Sequence, residues 1–564
     1  YMWTKHYPNI YCGAFIFVLL PLFVMNKEIK LKTKIVYGSL LAIFLLSFMT
    51  NIPDYIWHGL HFPNSLPARQ SFMYIFFMIT VMYMTVKYRK GISMIHIIIS
   101  ASISNAFLAY VYFMYAGNTT LVDDNNYIYS SWAVIGTIIL IWIYYCILIW
   151  DKYILYKKAE NPYSGVGRKK KVSMNAWFTF ILSGAMIVEC ALNMGITGLS
   201  TLSYSAYIKN DEKMANTLSR ISADENNGFF RLEQQEPRTN NDGDWYAYHS
   251  MSTFSSSSPK GLSELYKNLG MKSSMNSYNG LGATQLVYAL FGVQYFYSKY
   301  SDYEDPFMTK YEENESYTIY KLKDALPIAY SIPEIFAKEV FVSKTTIAGS
   351  LDYQNEIFKK LTGIDDLYTS VDTIKYEKTK TVTAGQTGHY YMTVTGNAPE
   401  DLNLTKENDT FTKTFSGLNK HNHIVDLGYL KEGESINIDA ELEMTAEIFV
   451  MDYNKLSEGI SKLNNNSISL SNYTDTSIEG DINASGGSVL FTFAYDPGWT
   501  LYVDGVKTET YQVMGALTGA DVSDGTHHIF MEYKPTGFNV GLIVTLSSVA
   551  LLAAIMIVKY KNKK

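Results

Sequence analysis

Six apolar runs, at about 10–25, 34–49, 71–86, 93–114, 132–150 and 175–198, crowd into the first part of the chain, and a seventh stands near its end at 541–558. An α-helix needs roughly 20 apolar residues to cross the hydrocarbon of a bilayer, and these runs reach or approach that length. The first three are short, and flanking aromatic residues are expected to extend them at the membrane surface. Charge alternates between the connecting loops. Segments 26–34, 87–91, 151–174 and 559–564 carry 4, 3, 7 and 4 Lys and Arg residues, whereas 1–9, 50–70 and 115–131 together hold just Lys5 and Arg69. Because basic loops stay on the cytoplasmic side, this pattern predicts that residues 199–540 lie outside the cell. The expected fold is an integral membrane α-helical bundle of about seven spans with a large extracellular domain.

The external part divides by pattern. Residues 199–370 mix helix signals such as GLSELYKNLG with short aromatic strands such as VQYFYS, predicting an α+β region. From 371 to 535 alternating strands dominate, and Asp504-Gly505 and Asp524-Gly525 offer turn residues that accept positive φ, so a β-sandwich of jelly-roll-like pattern is expected. The predicted order is therefore a bundle over 1–198, two external regions, a C-terminal span at 541–558 and a basic cytoplasmic tail at 559–564. Residues 199–540 carry a net charge of −19 and the remainder +13. Such an acidic external surface repels nucleic acid, so no nucleic-acid partner is expected. Cys12, Cys146 and Cys190 all fall inside apolar runs, leaving the external region without cysteine, as suits a bacterial cell surface better than an oxidising animal compartment.

Two polar features stand out against the apolar background. The stretch NIPDYIWHGLHFPNSLPARQSF, residues 51–72, holds prolines at 53, 63 and 67, and is expected to be a fixed, non-helical loop between two spans. His58 and His61 suit proton transfer or hydrogen bonding near neutral pH, and Arg69 presents a planar fork matched to phosphate or carboxylate. The same residue types also anchor helix ends at lipid headgroups, and residue type alone leaves both readings open. The second feature is Glu189, the acidic residue deep within the sixth run, with Asn193 one turn further on the same face. An ionisable residue in a span is a functional candidate, and Arg69 or His58 is its expected partner; a purely structural fastening of two helices is the competing reading. Asp123 and Asp124 lack the further ligand spacing of a cation site, and no metal site is expected from the residues. Trp499 suits stacking on a sugar ring, although a strand tryptophan is more often core.

Catalytic signatures are mostly missing: there is no phosphate-cradling Gly-Lys-Ser/Thr loop, no Gly-x-Ser-x-Gly elbow and no His-Glu-x-x-His. Taken together, IPDYIWHGLHFPNSLPARQSF, Glu189-x-x-x-Asn193, LKDALPI at 322–328, AYDPGWTLYVDG and GTHHIFMEYKPTGFNVG resemble the YfhO-like family of bacterial membrane proteins over nearly the whole chain. The resemblance implies a type C-like glycosyltransferase: a multi-pass protein of the bacterial cytoplasmic membrane that moves a sugar from an undecaprenyl-phosphate carrier to a surface polymer such as teichoic acid. It implies a lipid-linked donor, a polymer acceptor and membrane lipids as partners, and a divalent metal as the cofactor to look for. It carries His58 and Arg69, and more weakly His61, as substrate-binding residues, with Glu189 and Asn193 in support. The catalytic acid of such enzymes lies in the first external loop, which would place it upstream of Tyr1 and make this chain a C-terminal portion. A non-catalytic polymer-binding or lipid-carrier transport protein is the alternative.

Overall fold

The computed structural model of the chain describes residues 10–61, 68–116, 131–160, 174–198, 211–225, 228–235, 237–298, 305–313, 317–339, 346–406 and 412–562. The chain forms two compact units, Tyr1–Tyr207 and Ile208–Lys564.

Apolar sequence makes the first unit helical: α1 Phe15–Met25, α2 Leu31–Met49, α3 Asn51–Trp57, α4 Ser71–Lys87, α5 Met94–Ala116, α6 Ser131–Glu160 and α7 Met174–Gly198. Val18, Leu22, Val81, Ile141 and Tyr145 pack in its interior. Its outside is apolar too, with Ile95, Phe113, Phe180, Ile187 and Met194 exposed. Helices hydrophobic all round belong in lipid or in a large core. Stretches of α2, α5, α6 and α7 are long and apolar enough to cross a membrane, as is the C-terminal helix Phe538–Lys561 of the second unit, none of whose residues is buried. The other two apolar runs fall short: α1 has 11 residues and α4 has 17, or about 16 and 25 Å at 1.5 Å per residue against a hydrocarbon layer of about 30 Å.

Pro21 interrupts α1. Proline has no N–H, so the carbonyl of Phe17 loses its helical donor. Ser104 of α5 supplies a replacement, donating to Phe17 O at 2.6 Å, and Ser100 donates to Val18 O at 2.8 Å. A side-chain bond from α5 thus repairs the proline's gap and fastens two helices. At the basic end of the bundle Arg89 pairs with Asp151 at 3.1 Å and lies over the Phe178 ring at 4.5 Å, while Lys152 donates to the Arg89 carbonyl at 2.6 Å.

The stretch 51–72 departs from expectation, because its first seven residues form α3. Pro53 does not prevent this, since it sits in the first turn, where a backbone N–H has no helical partner anyway. Pro63 and Pro67 lie outside the described residues, as do Asp123 and Asp124.

The second unit is β-rich towards its C-terminus. A four-stranded sheet runs in the order Arg231–Gln234, Val293–Ser298, Thr318–Leu322, Met308–Glu313, and Met214, Leu218 and Ile221 of the helix Asp211–Asp224 share its core. The 17-residue strand Ser435–Met451 organises a six-stranded sheet, pairing with Tyr368–Thr383, Gly388–Gly396 and Asp401–Lys406 around a core of its own. After the helix Tyr453–Asn464, a five-stranded and a four-stranded sheet share a core that includes Val489, Phe491, Ile529 and Met531. The β region is thus two assemblies, where one sandwich was expected. Nor does the sequence boundary at 370 separate the parts, because Ala329–Pro333 pairs antiparallel with Gly487–Ala494. The Asp504-Gly505 turn is as expected: both residues have positive φ, 51° and 78°, the conformation that lets two residues join twisted strands.

Candidate functional site

Glu189 is only 4 % exposed, although it lies on the strongly apolar α7. Its carboxylate is a triple acceptor. The Tyr11 hydroxyl donates to Oε1 at 2.6 Å, the Tyr144 hydroxyl donates to Oε2 at 2.5 Å, and the Ala14 backbone N–H donates to Oε1. The last contact comes from the N-terminus of α1, whose first amides lack helical partners and whose own cap position, Ala14, has no side chain able to fill the role. Glu189 caps that helix from another, and the positive end of the helix dipole favours its charge. Gly13 leads into the helix with φ at +100°, a conformation that favours glycine, and its backbone lies against the carboxylate. Phe15 stacks on Tyr144 at 4.3 Å and steadies the phenol.

The expected partnership of Glu189 with Arg69 or His58 is not found, because phenols and a backbone amide occupy the carboxylate instead. Asn193, one turn on, is partly buried. Sequence reasoning missed Tyr11 and Tyr144, whose rings read as membrane aromatics while their hydroxyls provide the donors.

A second polar cluster ties the end of α2, α3 and the start of α4. Asp54 Oδ1 accepts from the Ala68 N–H at 3.3 Å and from Gln70 Nε2 at 3.2 Å, and Gln70 Nε2 also donates to Ser47 Oγ at 2.7 Å. His58, with 8 % of its side chain exposed, places Nδ1 2.7 Å from the Asp54 backbone carbonyl. A carbonyl only accepts, so Nδ1 carries a proton, and the Asp54 carboxylate lies 3.5 Å from the same nitrogen; in the neutral form of the ring Nε2 then holds a lone pair. Among the described residues that Nε2 is buried without a hydrogen-bond partner, as is Gln70 Oε1. Two unpaired polar atoms at one cluster mark a place where a further group would be stabilised. Arg69 and His61 are both exposed. Asp54, Gln70 and Ser47 were readable only as neighbours of the histidine, since none belongs to a recognised motif.

In the second unit the network around His389 is structural. His389 is 3 % exposed and donates from both ring nitrogens, to Asp305 at 2.8 Å and to Asp426 at 2.6 Å. Burial by itself would lower the histidine's pKa, but Asp426 and Asp305 overcome that and raise it to about 10. Gln285 and the Phe307 N–H occupy further lone pairs of Asp305, so the network is an internal clasp. Trp499 packs against Phe493 at 5.0 Å and Tyr533 at 5.1 Å, as a core residue would. Among the described residues no group of three or more His, Cys, Asp or Glu could hold a metal ion, so the divalent metal implied by the resemblance finds no fitting ligand set there.

No curated protein matches the chain. The family model described as "Bacterial membrane protein YfhO" does, over residues 1–545. The apolar helices agree with a multi-pass membrane protein, and the chain belongs to the YfhO family of bacterial membrane proteins.

Proposed function

We propose that this protein is a membrane glycosyltransferase, taking a sugar from an undecaprenyl-phosphate carrier and placing it on a surface polymer such as teichoic acid. In this reading flanking residues extend the short α1 and α4 so that the chain crosses the bilayer seven times, and residues 199–540 lie outside. The observation that carries it is His58, whose Nδ1 is committed to the Asp54 carbonyl and whose Nε2 is unpaired, the arrangement a general base requires. The acceptor hydroxyl gives its proton to Nε2 while its oxygen attacks the anomeric carbon. The bond from that carbon to the carrier oxygen breaks, and its electron pair stays on the carrier phosphate. Arg69, exposed just before α4, offsets the charge on that leaving group.

Sugar incorporation into surface polymer, measured at matched membrane levels, tests this. Arg69→Lys keeps the charge but loses the paired hydrogen bonds, and incorporation is expected to fall on the order of tenfold or more. His58→Gln, which cannot take up the proton, is expected to fall at least as far. Near-normal incorporation by both would overturn the transfer reading and favour a polymer-binding or carrier-transport protein. The topology has its own check: protease added to intact protoplasts is expected to cleave within 199–540 and spare 151–174, and the reverse pattern would invert the orientation.

A further inference from the structure

Arg231 is a buried cation that bonds no carboxylate among the described residues. The residue is 8 % exposed, and its guanidinium donates from Nη1 to Phe291 O and to Thr492 Oγ1 at 2.7 Å, and from Nη2 to Thr492 O at 2.9 Å. All three acceptors are uncharged. The Phe229 ring lies 5.2 Å from Cζ and compensates part of the charge, but among the described residues no carboxylate pairs with it. Burial pushes the group down to about 10, which leaves it protonated at neutral pH. Nearby His249 is held below its ordinary value by burial and then by Arg231, which favours its neutral form over a second positive charge. Buried charges are ordinarily paired, because an unpaired one loses its hydration without recompense.

Beside this cation is a cavity of about 290 Å³, lined by Arg231, Ser250, Ser252, Tyr266, Tyr278 and Phe493 among others. Its serines are already spent as donors: Ser250 Oγ and Ser252 Oγ both donate to the buried carboxylate of Glu233, at 2.9 and 2.5 Å. The Tyr266 hydroxyl donates to Met251 O at 2.8 Å. Ser250 Oγ also accepts from the Ser252 N–H at 2.9 Å and Ser252 Oγ from the Gly280 N–H at 3.2 Å, so each serine oxygen keeps one lone pair, suited to a hydroxyl group that donates. Two of the five guanidinium N–H groups, on Nε and Nη2, are unassigned and form an edge matched to two oxygens of an acid group. Aromatic walls complete the cavity, and rings of this kind pack on the apolar face of a sugar.

We infer that this cavity binds one anionic sugar unit, its carboxylate or phosphate held by Arg231 and its hydroxyls donating to Ser250, Ser252 and Tyr266. A volume at the lower end of the range for small-molecule pockets fits a single ring. The inference does not rest on the transfer reaction, because a protein that only binds surface polymer would use the same site.

Binding to the full-length protein in detergent, read by calorimetry and by the thermal shift, tests this with glucuronate, glucose 6-phosphate, glucose and inorganic phosphate as probes. Glucuronate, glucose 6-phosphate or both are expected to bind, at least tenfold more tightly than glucose or phosphate alone. The acid that binds identifies the charged group. Arg231→Met is expected to abolish the preference. Should that variant not fold, Ala494→Leu fills the cavity wall while leaving every Arg231 hydrogen bond in place, and it is expected to weaken binding on the order of tenfold or more. No binding of either acidic sugar, equal binding of glucose or phosphate, or undiminished binding by Ala494→Leu would each overturn the inference.

Discussion

His389→Leu is expected to destabilise the second unit by about 3–5 kcal/mol, a fall of roughly 4–7 °C in melting temperature if the unit unfolds as one. The size follows from what the substitution leaves behind. His389 bridges Asp305 and Asp426, and Asp305 is 7 % exposed. Without the imidazolium, Asp305 retains only Gln285 and one backbone amide, and Lys413 at 3.5 Å from Asp426 is too distant to replace the bond. Removing one partner of a buried ion pair costs far more than the pair itself contributes. The pH dependence carries a definite sign. The folded pKa of His389 is raised from 6.5 to about 10, so its contribution is full below about pH 6.5 and is lost as pH rises toward 10. For Asp426, burial opposes ionisation, but Lys413 and His389 outweigh it and hold the carboxyl below its ordinary 3.8. That contribution exists above pH 3.8 and is lost in stronger acid. The gap in melting temperature between wild type and variant is therefore expected to be widest near pH 4–6.5 and to close toward pH 10. A variant that melts with the wild type at pH 6 would show that the clasp contributes nothing.

What could be read from sequence was the part of the fold that rests on composition and local period. The apolar runs became helices because a membrane-length segment must satisfy its backbone internally, and that requirement needs no partner to be known. Asp504-Gly505 was legible for a similar reason, since the turn depends on its own two residues. Pairing between distant strands was not legible. Nothing local in Ala329–Pro333 specifies Gly487–Ala494 as its neighbour, and so the sequence boundary at 370 cut through a shared sheet. α3 was hidden because proline was weighed without its position in the helix.

The candidate sites divide in the same way. Glu189 announced itself as a charge in an apolar run, and it is buried and fully engaged. Its partners did not, because a buried carboxylate leads one to expect a cation, while the fold supplies neutral donors. Two phenols and a helix amide can satisfy a carboxylate as well as an arginine can, and in an apolar run they leave no charge to notice. His58 was visible by residue type, but the committed Nδ1 and open Nε2 that distinguish it from a headgroup anchor belong to the fold of α3.

Two substitutions at Glu189 separate holding the bundle together from serving its chemistry. Glu189→Leu keeps the volume roughly and removes both acceptors, stranding the Tyr11 and Tyr144 hydroxyls and the Ala14 N–H. Tyr11 is half exposed, but the Tyr144 hydroxyl and the Ala14 N–H are buried, and each such donor left unsatisfied costs about 1–3 kcal/mol, so the leucine variant is expected to lose most of its folded yield. Glu189→Gln behaves differently, because its amide oxygen still accepts from one side and its amide nitrogen can donate to a tyrosine hydroxyl on the other. The glutamine variant is expected to reach the membrane at near-normal levels. What it lacks is the negative charge at the α1 N-terminus, whose attraction to the helix dipole is worth about 0.3–1 kcal/mol and up to about 2 when partly buried. A modest fall in melting temperature for glutamine against collapse for leucine, measured by fluorescence-detected size exclusion on detergent extracts, is the result expected of a carboxylate that fastens α1 to α7. Incorporation assays on the same glutamine membranes then read the second role: normal folded yield with lost sugar transfer assigns the charge to the reaction, and normal yield with normal transfer assigns it to structure. A leucine variant as abundant and as stable as the wild type would remove Glu189 from both.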